Sequence, residues 1–187
     1  MGRKYAIRDQ LAIYSVTFTV VNWIDLFIRD QYREVIQSSI QYCQKNKHLN
    51  IHAYCIMTSH LHLILSVSEG ELSDVIRDFK SYTSKQVRTL LGNKELPESR
   101  REWLLWMFER AGKHNKRNND YQLWHGPTNR QHNHPIELST NQMIDQRLAY
   151  VHSNPVEAGF VYKPEDWVSS SARQYAGEIG DIELSYL

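Results

Sequence analysis

The chain has 187 residues, with 22 Lys and Arg against 21 Asp and Glu for a formal net charge of +1. Its 41% hydrophobic and 23% charged residues support a folded core and exclude a disordered or uniformly basic chain, and the length suits one domain, residues 1–187, or one domain with appendages. No apolar run approaches roughly 18 residues and the N-terminus lacks an apolar signal core, which points to the cytoplasm and no membrane partner; Cys43 and Cys55 are too few for a disulfide scaffold or a thiolate zinc site. The nine His, five Trp and eleven Tyr point instead to metal or nucleic acid.

Residues 11–20 are β-branched and aromatic and predict a strand with Ala12, Tyr14, Val16, Phe18 and Val20 on one face. Residues 29–45 predict a helix, with Tyr32, Val35, Ile36, Ile40 and Cys43 at helical spacing. Within 50–67, Ile51, Ala53, Cys55 and Met57 alternate, then Leu61, Leu63 and Leu65. Only Thr58-Ser59 separates the two runs, which favours an antiparallel hairpin. A second helix covers about 71–91, with Leu72, Val75, Ile76, Phe79, Val87 and Leu90 as its stripe. Residues 93–119 form a polar, basic insert around the apolar run Trp103–Phe108, which is expected in the core. A strand-like piece follows at 121–124. The last helix covers about 140–153, with Ser139 and Gln142 at capping-box spacing and Pro155 marking its end. The tail, about 156–187, is expected to pack irregularly. Helices segregated onto an antiparallel sheet of four to five strands make an α+β sandwich of ferredoxin-like type.

His60 and His62 flank Leu61, so strand alternation puts both on one face, roughly 7 Å apart at Cα. Leu61, Leu63 and Leu65 take the opposite, core face. Two imidazoles on one face can grip a divalent cation; the pair is as consistent with two surface histidines. On the last helix, Ile144, Leu148 and Val151 form a buried stripe. Tyr150 and Asn154 lie together at i, i+4, about a quarter turn away. Tyrosine can act as a covalent nucleophile and an amide oxygen can ligate a hard metal. Alternatively the Tyr packs at the core edge and the Asn caps the helix before Pro155.

The block His60-Leu61-His62 after a strand, with a helix ending Tyr150-Val-His-Ser-Asn154-Pro155-Val-Glu-Ala-Gly159, resembles the single-tyrosine HUH transposases, and most of all their REP-associated tyrosine (IS200-like) branch. The likeness covers nearly the whole chain, including the Asp78-Phe79-Lys80 helix and Trp167 to Ser170. The sequence departs from the pattern in carrying Thr58-Ser59 before His60 and in the insert near 93–119; neither removes a catalytic group. The resemblance implies a ferredoxin-like fold with the tyrosine helix beside the histidine strand. It implies Mg2+ or Mn2+ held by His60, His62 and Asn154, with Tyr150 attacking a DNA phosphodiester to leave a 5′-phosphotyrosine link and a free 3′-OH. A phenol has an ordinary pKa near 10 and its phenolate is a tolerable leaving group, so such a link would be reversible. His152, two residues from Tyr150, points elsewhere on a helix and leaves the general base unassigned.

Between Arg77 and Arg117 there are eleven Lys and Arg against five acids; from Glu157 onward there are two bases against six acids. The near-neutral total hides this asymmetry. Arg77, Lys80 (or Ser81), Ser84 and Arg88 step along the second helix as a line that could track a phosphate backbone. Lys85 on the same helix and the loop Lys113 to Asn119, with Lys116 and Arg117, are further DNA-binding candidates; the loop is expected to order on a nucleic-acid partner. Tyr121 and Trp124 are either base-stacking or strand residues. His132 and His134 have metal-compatible spacing, but Pro135 and an Asn-rich setting favour a plain loop. The expected partner is single-stranded or hairpin DNA, bound by a monomer or homodimer. The alternative is a catalytically silent DNA-binding regulator with the same fold. A replication initiator or relaxase commonly carries further domains for which 187 residues leave no room.

Overall fold

The computed structural model describes residues 7–115, 120–126 and 134–187. Nine elements carry the fold: β1 (Tyr14–Thr19), α1 (Asp30–Lys47), β2 (Leu49–Ile56), β3 (His60–Val67), α2 (Leu72–Gly92), α3 (Arg101–Lys113), β4 (Ile136–Glu137), α4 (Asn141–Glu157) and the short α5 (Ala172–Tyr175). The strands form one antiparallel sheet in the order β2-β3-β1-β4. This is the α+β ferredoxin-like sandwich that the element order predicts.

The first face of the sheet is closed. Tyr14, Val16 and Phe18 from β1 and Leu61, Leu63, Leu65 and Val67 from β3 meet Tyr32, Ile36, Ile40 and Cys43 of α1 and Leu72, Val75, Phe79, Val87 and Leu91 of α2. Alternation in the strands and three-to-four spacing in the helices aim all of these at one layer. The second face carries a smaller cluster, Ala53, Cys55, Met57, Ile64, Leu138 and Val151, with Ile144, Leu148 and Trp167 packed against it. Its other positions are polar: Ser15, Thr17 and Thr19 of β1 pair with Ile64, His62 and His60 of β3.

The alternation of Ile51, Ala53, Cys55 and Met57 does not put them on one face. The register shifts between Ile51 and Ala53, so Ile51 stays in the first core with Tyr54 and Ile56 while Ala53, Cys55 and Met57 turn to the second. A bulge inserts one residue and reverses the phase beyond it. The Thr58-Ser59 turn forms as expected, with the Met57 amide donating to the His60 carbonyl at 2.8 Å.

The strand expected at 121–124 is not one. Trp124 makes a single bridge to Val20, and β4 lies later, paired with Tyr14 and Ser15. The edge strand β4 thus covers only the start of β1, and Trp124 meets the chain just past its end. The insert at 93–119 is helical where α3 crosses it. Leu104 and Phe108 enter the core, but Trp103 and Trp106 are exposed; the four-residue period of a helix splits the apolar run between two faces. Gly112 is required there, because a Cβ would lie 2.3 Å from the Tyr121 backbone nitrogen.

The last helix starts from Thr140, whose hydroxyl accepts from the Met143 amide at 3.2 Å, in place of the Ser139 cap. It also runs past Pro155 to Glu157. Proline removes one ladder bond, a cost tolerable in a last turn that is closed by other means. Here Gly159 sits at φ +76°; its amide donates to the Val156 carbonyl and that of Phe160 to the Pro155 carbonyl, both at 2.9 Å. That pair of bonds is a Schellman closure. The tail is irregular as expected but fixed. It bridges β2 through Cys55 and Ser170, donates the Ser185 amide to the Ile51 carbonyl at 2.9 Å and buries Ile182. No helix among the described residues is long and apolar enough to cross a membrane.

Candidate active site

β3 carries His60 and His62 onto the second face, and their ring centroids are 4.7 Å apart. His62 is buried and only 4% exposed. Each imidazole meets a hydroxyl at Nδ1: Thr17 Oγ1 at 2.9 Å for His62 and Ser59 Oγ at 3.2 Å for His60. Thr17 is brought there by the β1–β3 register, directly opposite His62. Ser59, one of the two residues that depart from the family pattern, supplies the matching contact to His60.

α4 lays its stripe, with Val151 buried and Ile144 and Leu148 half-buried, on Ala53 and Cys55 of β2 and Ile64 of β3. This packing sets Tyr150 over the histidine strand. Its ring centroid is 5.3 Å from that of His62, nearly perpendicular to it, and the residue is 40% exposed. Tyr150 therefore does not pack into hydrocarbon at a core edge. Asn154, one turn later, donates Nδ2 to the Tyr150 carbonyl at 2.7 Å. That bond orients the carboxamide and uses one of its two N–H groups.

Sequence reasoning missed two groups. The Arg147 guanidinium lies 5.6 Å from the centre of the Tyr150 ring. Its i, i+3 spacing was visible, but an isolated Arg on a helix is ordinarily a solvated side chain. Trp23 meets the His60 ring edge-on at 5.3 Å; no spacing connects a turn residue at 23 to a strand residue at 60. His152 does point away, as its helical position predicts. Its Nε2 lies 2.8 Å from Ser171 Oγ and its ring contacts Tyr175, and burial pulls its pKa down to about 4.

The two adjacent imidazoles offer nitrogen donors, and the Asn154 carboxamide carries a hard oxygen; both are ligand types compatible with a divalent ion of the Mg2+ or Mn2+ type. Among the described residues, no cluster of three or more His, Cys, Asp or Glu offers an alternative metal site.

The basic line on α2 divides. Arg77 is engaged by Asp74 and Asp78, and Lys47 of α1 also pairs with Asp78. Lys80 folds inward over the Phe18 ring, 3.4 Å from the His125 carbonyl, and burial lowers its pKa to about 8. With Ser81, Ser84, Gln122 and His125 it lines a cleft of about 370 Å3. Lys85 is exposed, and the Arg88 guanidinium covers the Tyr121 ring. Lys113 is exposed at the end of α3, so it belongs to a helix and not to the expected loop. Lys116, Arg117 and His132 lie outside the described residues. Arg100 and Arg101, counted in the basic segment, are internal: Arg100 binds the buried Glu98, and Arg101 donates to the carbonyls of Leu91 and Leu96. Neither Tyr121 nor Trp124 is a stacking platform. Trp124 is buried between Phe18 and Phe27 and donates Nε1 to Thr83 Oγ1 at 3.0 Å, while Tyr121 packs on Phe108.

Residues 11–109 match the family described as "Transposase IS200 like". No curated protein sequence matches the chain. The fold is similar to the solved structure of a REP-associated tyrosine transposase bound to a REP hairpin, with a TM-score of 0.65 at 17% identity over 99% of this chain and 92% of that one.

Proposed function

The chain belongs to the IS200-like transposase family, and from that premise we propose that it is a metal-dependent single-strand DNA nicking and joining enzyme with Tyr150 as its nucleophile. The observation that carries the reading is the placement of one phenol, 40% exposed, over a buried histidine of the same chain.

In this reading Tyr150 Oη attacks the phosphorus of a DNA phosphodiester. The bond from phosphorus to the 3′ oxygen breaks, the phenol proton passes to solvent, and the departing 3′ oxygen takes up a proton. A 5′-phosphotyrosine link and a free 3′-OH result, and reversal by another 3′-OH joins strands. His60, His62 and Asn154 would hold Mg2+ or Mn2+. Such an ion polarises a non-bridging phosphoryl oxygen and offsets charge developing on phosphorus. Thr17 and Ser59 hold the two imidazoles at Nδ1, the contact that fixes ring orientation and directs Nε2 to a metal. The Arg147 guanidinium adds positive charge beside the phenol, where the phosphate has to sit.

The similarity to a protein bound to a REP hairpin supports a folded, palindromic strand as substrate. Lys85, Arg88 and Lys113, with Lys80 lining its cleft, are the phosphate contacts we favour, the inward fold of Lys80 over Phe18 making it the least accessible of them; Lys116 and Arg117 extend the set by sequence. Arg77, offset by two aspartates, contributes less. The contact of Tyr150 with His62 of the same chain supports a nucleophile that acts in cis, for which a monomer would suffice.

The test is a denaturing gel of the protein incubated with Mn2+ and hairpins from the DNA flanking its own reading frame. A protein–DNA adduct forms with the parent and is absent with Tyr150→Phe, which still binds the hairpin. An adduct that survives Tyr150→Phe overturns the assignment.

A further inference from the structure

We infer that Trp23 is a stacking platform for a single unpaired DNA base next to the bond that is cut; the inference rests on the nuclease reading above. Trp23 is 49% exposed, although tryptophan is among the most costly side chains to leave in water. Asn22, Asp25 and Ile28 are exposed as well, but Trp23 is the only aromatic among them. Val20, Val21, Ile24, Leu26 and Phe27 are all buried, so the turn presents one large aromatic out of an otherwise anchored segment.

The backbone supports the same reading. Asn22 and Trp23 both lie in the left-handed region, at φ 58° and 54°. Asn tolerates that conformation; a bulky residue rarely adopts it. Two consecutive left-handed residues persist only where surrounding structure holds them. Here the Val20 amide donates to the Ser59 carbonyl at 2.9 Å, Val21 to Leu123 at 2.8 Å and Phe27 to Thr58 at 2.8 Å. Two of these anchors come from the turn that leads into His60. The strained segment is therefore clamped to the metal-binding strand, and the indole meets the His60 ring edge-on.

An indole face held rigidly beside the reacting site is suited to receive a base. Stacking needs no particular base identity because every base offers a π face, and a pre-set side chain loses little freedom when it binds. A base seated on Trp23 would fix the rotation of the adjoining phosphate relative to Tyr150. The hairpin stem has no part in this contact, which falls on the single-stranded flank alone.

Equilibrium binding in the Tyr150→Phe background, where cutting does not intervene, tests it. The probes are one hairpin without flanks, the same hairpin with single-stranded 5′ or 3′ flanks, and the flanked hairpins with one abasic position at a time. Trp23→Ala is expected to weaken a flanked hairpin about 5- to 150-fold and leave the unflanked hairpin unchanged. One abasic position should weaken binding with Trp23 present and have no further effect in Trp23→Ala, a non-additivity that marks a direct contact. Trp23→Phe should retain most of the affinity. Trp23→Leu, which keeps bulk without a π face, makes the same comparison if the alanine variant does not fold. Equal loss on both kinds of hairpin, no loss, or an abasic effect that adds to Trp23→Ala would overturn the inference. Failure of the Tyr150→Phe parent to bind any hairpin would overturn the nuclease reading with it, before Trp23 is changed.

Discussion

The two faces of the sheet are made from the same strands and do different work. On the α1–α2 face, every second residue of β1 and β3 is a large apolar side chain closed off from solvent. On the α4 face the intervening residues are mostly small or polar: Ser15, Thr17, Thr19, His60 and His62, with Ala53, Cys55 and the large apolar Ile64 in the cluster beneath α4. The first face holds the fold together through close packing, where each buried methylene counts. The second is packed at one end and left open at the other, and the open end is where two imidazoles, a phenol and an exposed indole come together. A period-2 strand thus fixes a site on one side by burying the other.

The largest separation between the faces is expected in stability. Leu63→Ala on the closed face removes a fully packed side chain, and should lower unfolding free energy by about 2–5 kcal/mol. Denaturant melts measure this, while adduct formation per folded molecule stays near that of the parent. A variant that lost activity without losing stability would show that the closed face is not purely structural. A change on the other side should do the reverse. Thr17→Val takes the hydroxyl from His62 Nδ1 and keeps the volume, so stability changes little and affinity for Mn2+ falls about 10- to 100-fold. Unchanged Mn2+ binding by titration calorimetry would remove Thr17 from the site.

A further effect, read only against pH, concerns the seam where the tail closes over α4. Burial holds His152 at a pKa of about 4, below the ordinary value of 6.5, so the unfolded chain binds the proton more readily than the folded one. The contribution to stability is complete above pH 6.5 and is lost as pH falls toward 4. His152→Gln should flatten that part of the pH–stability profile; an identical profile in both proteins would mean the imidazole is not the group that titrates.

Much of this was legible without coordinates, and the reasons differ by residue. Leu61, Leu63 and Leu65 against His60 and His62 are read from alternation alone. Tyr150 with Asn154 is read from helical spacing, and its meaning from resemblance to a family. The bulge before Ala53 was not legible, because Ile51, Ala53, Cys55 and Met57 alternate perfectly in sequence and the extra residue shows only in pairing. Helix α4 outlasts Pro155 because Gly159 closes it two residues beyond its last turn, a signal present in the sequence but outweighed by the proline. Trp124 and Trp23 show the limit most plainly. The first was a candidate for stacking and is buried in the core; the second carried no pattern and stands beside His60. Aromatic residues in irregular segments take their roles from distant neighbours, which one-dimensional spacing does not encode.

The central claim is that Tyr150 becomes covalently attached to DNA. Digesting the protein after reaction with a hairpin substrate in the presence of Mn2+ and sequencing the nucleotide-bearing peptide by mass spectrometry locates the attachment. A nucleotide phosphate on Tyr150, in the peptide that spans α4, is the expected result. A nucleotide on another tyrosine, or efficient cleavage with no peptide modified at all, would contradict it.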